Sequence, residues 1–441
     1  IMMIYLWHLG LLAVALVYVP QMGARRLLPG SQHLPRVSAR RVGQRSLPGR
    51  VQMASGTEER VAVITGGTSS FGAAIAKGLA ESKKYERVII IGRDERKADR
   101  ILQELQQHSV QADFIKADLS QLGEVRAVCK SLEGIRLQCL VCAAGATAVP
   151  FRKETPDGHE YHFGLNFLSR FLMVNSLMEE LSSAGTPDDP ARVLLVGSDR
   201  HWGPPVLGFA SLGKSLPLAL GSLNDMQFKG KDAYGDWEAF GQAALCNVLF
   251  SYELQKRLRA RGSQTVAVSC FDPGPMVTAW HRYRNEENRV IASEISESLK
   301  GFYKYFTRLI EEPEIAAKAP VRLATTRLGT LPCRVPGNFG CYFVREFPVP
   351  SKYPVPWSWG TSYDEAVWAQ LWEYAEALIQ ESSSVEAATA EQALARLQRH
   401  TAEDAVNLPR VRPVYAWLWF WWHAPRPLAL ALAGTLLRAR A

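Results

Sequence analysis

Val61-Ala-Val-Ile-Thr-Gly-Gly-Thr-Ser-Ser-Phe-Gly72 is the stretch whose reading decides the fold. Val61 to Ile64 is a short β-rich apolar run, which passes into a loop of glycine and hydroxyl residues. An alanine-rich segment, Ala73 to Glu81, follows and reads as a helix. A strand, a tight loop and a helix in that order bring backbone N–H groups at a helix N-terminus to face phosphate. Gly66 permits the tight turn, and Gly72 lets the helix approach the sheet. Thr65, Gly66, Ser69, Ser70, Phe71 and Gly72 are therefore the expected pyrophosphate-binding residues of a dinucleotide site. A glycine-rich loop is a weak signal by itself; the strand before it and the helix after it raise its value.

Working outward, the same alternation continues. Arg87 to Ile91, Ala112 to Lys116, Leu137 to Cys142, Arg192 to Val196 and Gln264 to Ser269 read as strands. Asp94 to Gln107, Gln121 to Leu132, His162 to Leu181 and Trp237 to Arg259 read as the helices between them. Largely apolar strands separated by amphipathic helices indicate a parallel sheet covered on both faces. The expected fold is α/β, a Rossmann-type doubly wound domain over residues 58–380, with a helical extension and a Trp-rich tail over 381–441. Arg93 closes the second strand, 21 residues after Gly72. An acidic residue there would hold a ribose 2′-hydroxyl; an arginine suits the 2′-phosphate of NADP.

The chain has 441 residues, 47% hydrophobic and 21% charged, a globular composition that excludes disorder, collagen and a polytopic membrane protein. Its formal charge of +8 comes from the ends. Residues 1–57 carry seven arginines and no acid, and residues 405–441 carry five more, again without acid. The body between them is mildly acidic. The terminal arginines follow no pattern and no recognition motif accompanies them, which argues against a nucleic-acid partner.

Ile1 to Val19 is almost wholly apolar and just long enough for a bilayer; Pro20 ends it and Arg25-Arg26 follow. Ser31 to Ser55 is acid-free, with the composition of a transit peptide. An apolar segment followed by a transit-like one resembles the bipartite presequences of algae with secondary plastids, so a plastid is the expected location. A membrane anchor plus linker, at the ER or another membrane, is the alternative. Residues 1–57 are expected to lie outside the fold either way. Tyr415 to Trp422 holds four tryptophans beside arginines, a composition suited to a membrane surface, or to a tail packed back on the domain. The seven cysteines have no framework spacing. Cys139 and Cys142 lie three apart on a strand and face opposite sides, so they read as core thiols, with no metal site.

From about Arg60 to Gln380 the residues resemble the short-chain dehydrogenase/reductase family. Its Thr-Gly-x-x-x-Gly-x-Gly loop is matched at Thr65, Gly66 and Gly72, with Ser70 in place of the middle glycine. Asp118-Leu119 is similar to its Asp-Leu after the third strand, where the Asp approaches the adenine. Cys142-Ala143-Ala144-Gly145 stands where the family has Asn-Asn-Ala-Gly. Asn166 matches the family's structural-catalytic Asn, and Ser198 its active-site Ser. Asp272-Pro273-Gly274 through Thr278 resembles the segment that contacts the nicotinamide. The stretch Leu245 to Arg257, and Thr155 to Glu160, resemble the group containing retinol dehydrogenases, the WW-domain oxidoreductase and light-dependent protochlorophyllide reductase.

The resemblance implies a Tyr-x-x-x-Lys pair on one face of the helix before Leu245, the Tyr giving a proton to the carbonyl as hydride arrives. Here Phe240 takes the Tyr position and Ala244 the Lys position. Phe has the ring without the hydroxyl, and Ala has no charge. The only Tyr-x-x-x-Lys in the chain, Tyr252 to Lys256, lies about three turns further on, roughly 18 Å along the axis. Ala143, Ser70, Phe240 and Ala244 together predict weakened NADP(H) binding and lost or much reduced hydride transfer. The competing expectation is an active reductase of a lipophilic carbonyl, retinal- or protochlorophyllide-reductase-like, protonated by water, Ser198, Asp199 or His201.

Overall fold

The computed structural model describes residues 59–147, 149, 151–198, 201, 226–229, 234–274, 276, 312–326, 341–344, 365–380, 392, 393 and 395. The expectations for residues 1–57, for the Trp-rich tail and for Thr278 and Asp199 fall outside the described residues, as does most of 282–356, where a substrate lid is expected.

Seven strands form one parallel sheet. β1 (Val61–Thr65), β2 (Arg87–Gly92) and β3 (Gln111–Lys116) run outward in one direction. The chain then returns so that β4 (Leu137–Cys142) pairs with β1, and β5 (Ala191–Val196), β6 (Val266–Asp272) and β7 (Cys341–Val344) follow. The order is β3-β2-β1-β4-β5-β6-β7, so the direction of winding reverses between β1 and β4. That reversal opens a crevice at the carboxyl ends of the two strands, the place where this architecture holds ligands.

The strands read as continuous apolar runs because both faces are covered. Val61, Val63, Ile89, Ile91, Leu140 and Cys142 feed one core, while Ala62, Ile64, Val88, Ile90, Cys139 and Val141 feed the other. Each buried aliphatic of the Val/Ile/Leu type contributes about 1.5–3 kcal/mol. On the second face lie α1 (Ser70–Glu81) and α2 (Glu95–Gln106), together with α7 (Pro313–Ala316) and α8 (Lys318–Thr325). On the first lie α3 (Leu122–Ser131), a π turn (Phe163–Leu168) continuing into α4 (Ser169–Ser176), α5 (Met178–Ala184), α6 (Asp236–Ala260) and α9 (Glu365–Ile379). Trp372 of α9 packs at 5.0 Å from Phe171 and 5.7 Å from Phe250, and Trp368 at 5.3 Å from Tyr252.

Several boundaries depart from the sequence reading. The first helix begins at Ser70 rather than Ala73, because Ser69 caps it inside the glycine loop. The single helix expected over 162–181 is three pieces, with a π turn at its start and a break at Leu177. β6 starts two residues later than expected and runs to Asp272, and β7 is a strand beyond those expected from the sequence. Among the described residues no helix is long and apolar enough to cross a membrane.

Candidate active site

The phosphate end is built around two glycines without room for a side chain. Gly66 has φ +69°, and a Cβ there would sit 2.8 Å from the Ala144 backbone. A Cβ on Gly72 would fall 2.2 Å from the Gly66 carbonyl oxygen. Ser69 locks the turn: its Oγ donates to Gly66 O (2.7 Å) and accepts from Gly72 N–H (3.0 Å). The N–H groups of Ser70 and Phe71 open the first helical turn and have no intrahelical acceptor, which is the arrangement an anion needs. Ser70 is exposed, while the Phe71 ring is buried in the core. Thr65 faces inward; its Oγ1 accepts from Ala144 N–H (3.0 Å), tying β1 to the loop after β4.

Beside this turn lies a cavity of about 610 Å³ lined by Thr68, Ser69 and the segment from Arg93 to Lys97. The Arg93 side chain is 67% exposed, and its Nη1 stands 3.9 Å from the Asp118 carboxylate. Asp118 is partly committed to its own turn, with Oδ1 accepting from both the backbone N–H (3.1 Å) and the hydroxyl (2.8 Å) of Ser120. Leu119 is buried in the core. The turn and the cavity together fit the phosphates and adenosine end of a dinucleotide: the glycines admit close approach, the helix start supplies donors, and Arg93 supplies a positive charge.

The other end of the crevice is made by the residues that leave β4, β5 and β6. Ala143, Ala144 and Gly145 follow β4. Asn166, inside the π turn, binds that loop at both ends of its amide: Oδ1 accepts from Ala146 N–H and Nδ2 donates to Ala146 O, each at 2.8 Å. The Asn166 carbonyl accepts from Asn247 Nδ2 (2.9 Å). Ser198 lies two residues past β5 and is 9% exposed. Pro273 and Gly274 follow β6, where Gly274 takes φ +73° and its N–H donates to Asp272 Oδ1 (2.9 Å). The structure thus brings Ala143, Ala144, Gly145, Asn166, Ser198, Pro273 and Gly274 to the carboxyl edge of the same sheet.

Phe240 and Ala244 lie one turn apart on α6. The Phe240 ring meets the buried His162 ring edge-on at 6.2 Å, and Ala244 is 4% exposed. The alternative pair is elsewhere: Tyr252 is buried against Trp368, and Lys256 is paired with Glu365 at 2.7 Å, both toward α9. His201 has little exposure, and its Nδ1 lies 2.6 Å from the Ser198 carbonyl, which fixes the ring proton on Nδ1. Burial holds this imidazole down at about 4. It is therefore neutral near pH 7, with Nε2 unprotonated and its one N–H committed to the Ser198 carbonyl, which leaves it a poor general acid.

Two groups in this region carry no sequence signal of comparable strength. The first is a buried polar knot beside Phe240. Glu160 accepts from His162 Nδ1 (2.9 Å), Phe163 N–H (2.8 Å) and Tyr234 Oη (3.1 Å), and His162 Nε2 accepts from Val149 N–H (3.2 Å). Burial alone would raise the Glu160 carboxyl, but the His162 contact and the backbone donors outweigh it and hold it below the ordinary value. The second is Arg170, buried one turn past Asn166 and donating to the carbonyls of Ala144 (2.8 Å) and Val196. Its sequence trace is an arginine inside the run Phe167-Leu-Ser-Arg-Phe-Leu-Met173, apolar apart from it and Ser169. Cys139 and Cys142 lie on opposite faces of the sheet, pushed up by burial to about 11 and about 12, so both stay protonated core thiols. Among the described residues no group of His, Cys, Asp and Glu is arranged to hold a metal ion.

Comparison with known proteins agrees with this geometry. A family described as short chain dehydrogenase matches residues 60–199. Human polyprenol dehydrogenase is 33% identical over 229 residues, which cover 51% of this chain and 63% of that protein. Human retinol dehydrogenase 11 is 27% identical over 271 residues, covering 60% of this chain and 73% of that protein. The chain thus spans just under two thirds of the length of the polyprenol dehydrogenase it matches. Among solved structures, an uncharacterized protein from Mycobacterium paratuberculosis superposes with a TM-score of 0.50 at 24% identity, covering 74% of this chain and 94% of that one, a likeness of fold. With the glycine turn, the reversed sheet and the Asn166 and Ser198 positions all in place, residues 60–199 match the short-chain dehydrogenase family, and the chain is similar to polyprenol and retinol dehydrogenases.

Proposed function

We propose that this chain binds NADP(H) along the crevice and has lost most or all of its capacity for hydride transfer, acting as a cofactor-dependent scaffold, sensor or complex subunit. The observation that carries the reading is the pair Phe240 and Ala244 on one face of α6, where chemistry requires a proton donor and a cation. When bound, the cofactor supplies the hydride; the protein must supply the proton. Phe240 cannot, and the neutral His201 cannot. Loss of a positioned general acid lowers the rate by roughly 10²–10⁴. Arg93 at the edge of the adenosine-side cavity supports the 2′-phosphorylated cofactor over NAD. Its relatives' names point to lipophilic alcohols and carbonyls as the ancestral substrate class, and to a membrane surface as the place to meet them.

One observation favours an active reductase instead. The Tyr234 hydroxyl reaches Glu160 and His162 immediately beside Phe240, and offers a phenolic proton near the vacated position. The test is turnover of NADPH with a panel of retinal, a polyprenal, protochlorophyllide and simple aromatic aldehydes. The pseudoenzyme reading expects no oxidation above the protein-free rate. Oxidation that is abolished by Ser198→Ala would contradict it, and its loss in Tyr234→Phe would establish Tyr234 as the donor.

A further inference from the structure

Arg170 is a buried charge that the described residues leave without a counter-charge. Its residue exposure is 5%, Nε has no hydrogen-bond partner, and no carboxylate lies within ion-pair distance among the described residues. The two thiols nearest in charge terms, Cys142 and Cys270, are both pushed upward by burial and stay neutral. Arginine keeps its proton in proteins, so the guanidinium remains a full positive charge. Isolating such a charge is costly, and removing it from contact with water without a partner needs a reason in the site it faces.

Its position gives that reason. Nη1 and Nη2 hold the carbonyls of Val196 and Ala144, which join the carboxyl ends of β5 and β4. The Gly145 backbone closes directly over it: a Cβ there would lie 3.2 Å from Arg170 Nη2 and 3.0 Å from Asn166 Oδ1. The glycine turn and the Arg93 cavity take the phosphates and the adenosine end over β1 and β2. A dinucleotide laid across the reversal of the sheet therefore brings its nicotinamide end to β4 and β5, above Arg170. The oxidised nicotinamide ring is a cation, and the reduced ring is neutral.

We propose that Arg170 makes this crevice selective for the reduced cofactor, its fixed charge under the nicotinamide end opposing NADP+ and leaving NADPH unaffected. The inference rests on the cofactor reading above and deepens it: a chain that holds NADPH in preference to NADP+ responds to the redox state of the nucleotide pool without turning it over. Like charges several ångströms apart at protein-like dielectric weaken binding by roughly ten- to a hundredfold.

The experiment is a pair of equilibrium titrations on the full chain, NADPH by its fluorescence and NADP+ by displacement of bound NADPH, with melting curves to establish folding. Wild type is expected to bind NADPH at least about tenfold more tightly than NADP+. Arg170→Gln should bring the two affinities to within about threefold, chiefly by strengthening NADP+, whereas Arg170→Lys should keep the wild-type preference. An unchanged preference in a folded Arg170→Gln overturns the proposal. So does equal affinity in wild type, which decides the matter even where Arg170→Gln fails to fold. Failure of wild type to bind either nucleotide overturns the cofactor reading itself, and this proposal with it.

Discussion

The two ends of the crevice have been treated differently. Around Gly66, Ser69 and Gly72 a helix start is brought close to a strand, with a hydroxyl that caps the helix and a carbonyl 2.2 Å from where a Cβ would lie. At the far end the frame is also kept: Asn166 still grips Ala146, and Ser198 still follows β5. On α6 at the same end an aromatic ring, Phe240, and a methyl, Ala244, stand one turn apart. Beside them the structure holds a neutral histidine, a satisfied Glu160-His162-Tyr234 knot and the buried cation Arg170. On the reading proposed above, the difference teaches that binding and chemistry in this architecture are separable, because they depend on different strands and helices of one sheet.

The sharpest way to break that comparison is to install a Tyr-x-x-x-Lys pair on α6. Phe240→Tyr with Ala244→Lys should raise NADPH oxidation in the presence of a lipophilic aldehyde by about 10²–10⁴, since the frame around the pair is intact. A double variant that binds NADPH yet stays inert would show that the far end has lost more than two side chains. Acting on the other end, Gly72→Val drives side-chain atoms into the Gly66 carbonyl and should weaken NADPH binding at least about a hundredfold, read by nicotinamide fluorescence, with a lower melting temperature. Unaltered affinity would mean that the turn does not hold the phosphates.

His201 gives a smaller effect, with a sign set by protonation. Its imidazole is held at about 4 in the folded protein against an ordinary 6.5. Between these values the unfolded chain binds the proton and the folded one does not. Its contribution to stability is therefore complete above pH 6.5 and lost progressively as the pH falls toward 4, by about 3 kcal/mol. Denaturant melts of wild type and His201→Gln across that range should show a flatter pH dependence in the variant; parallel curves would contradict the buried neutral state. The smallest effect is at the exposed Arg93. Arg93→Gln should reduce the preference for NADPH over NADH by about tenfold, measured as a ratio of dissociation constants.

The strands were legible because burial on both faces leaves no polar alternation to confuse them: Arg87 to Ile91 and Leu137 to Cys142 are apolar almost throughout. Boundaries were less so. The Ser-Ser-Phe-Gly sequence hides the first helical turn inside a loop that composition assigns to coil, and the shift in hydrogen bonding at Phe163–Leu168 leaves no mark on apolar periodicity. At the site, Phe240 and Ala244 were legible through the family resemblance, which places a pair four residues apart on one helix. The Tyr234-Glu160 contact joins residues 74 apart, and Arg170 gains its meaning from carbonyls on two strands. Such relations exist only once the sheet is assembled.

The measurement that tests the account most directly is one mixing experiment with the full chain: NADPH is titrated until its fluorescence change saturates, and a lipophilic aldehyde is then added while the reduced nicotinamide is followed. The account predicts saturable binding, followed by loss of NADPH no faster than about 10⁻² s⁻¹, well under the usual range of enzyme turnover. Saturable binding followed by rapid oxidation, abolished in Ser198→Ala, would contradict it.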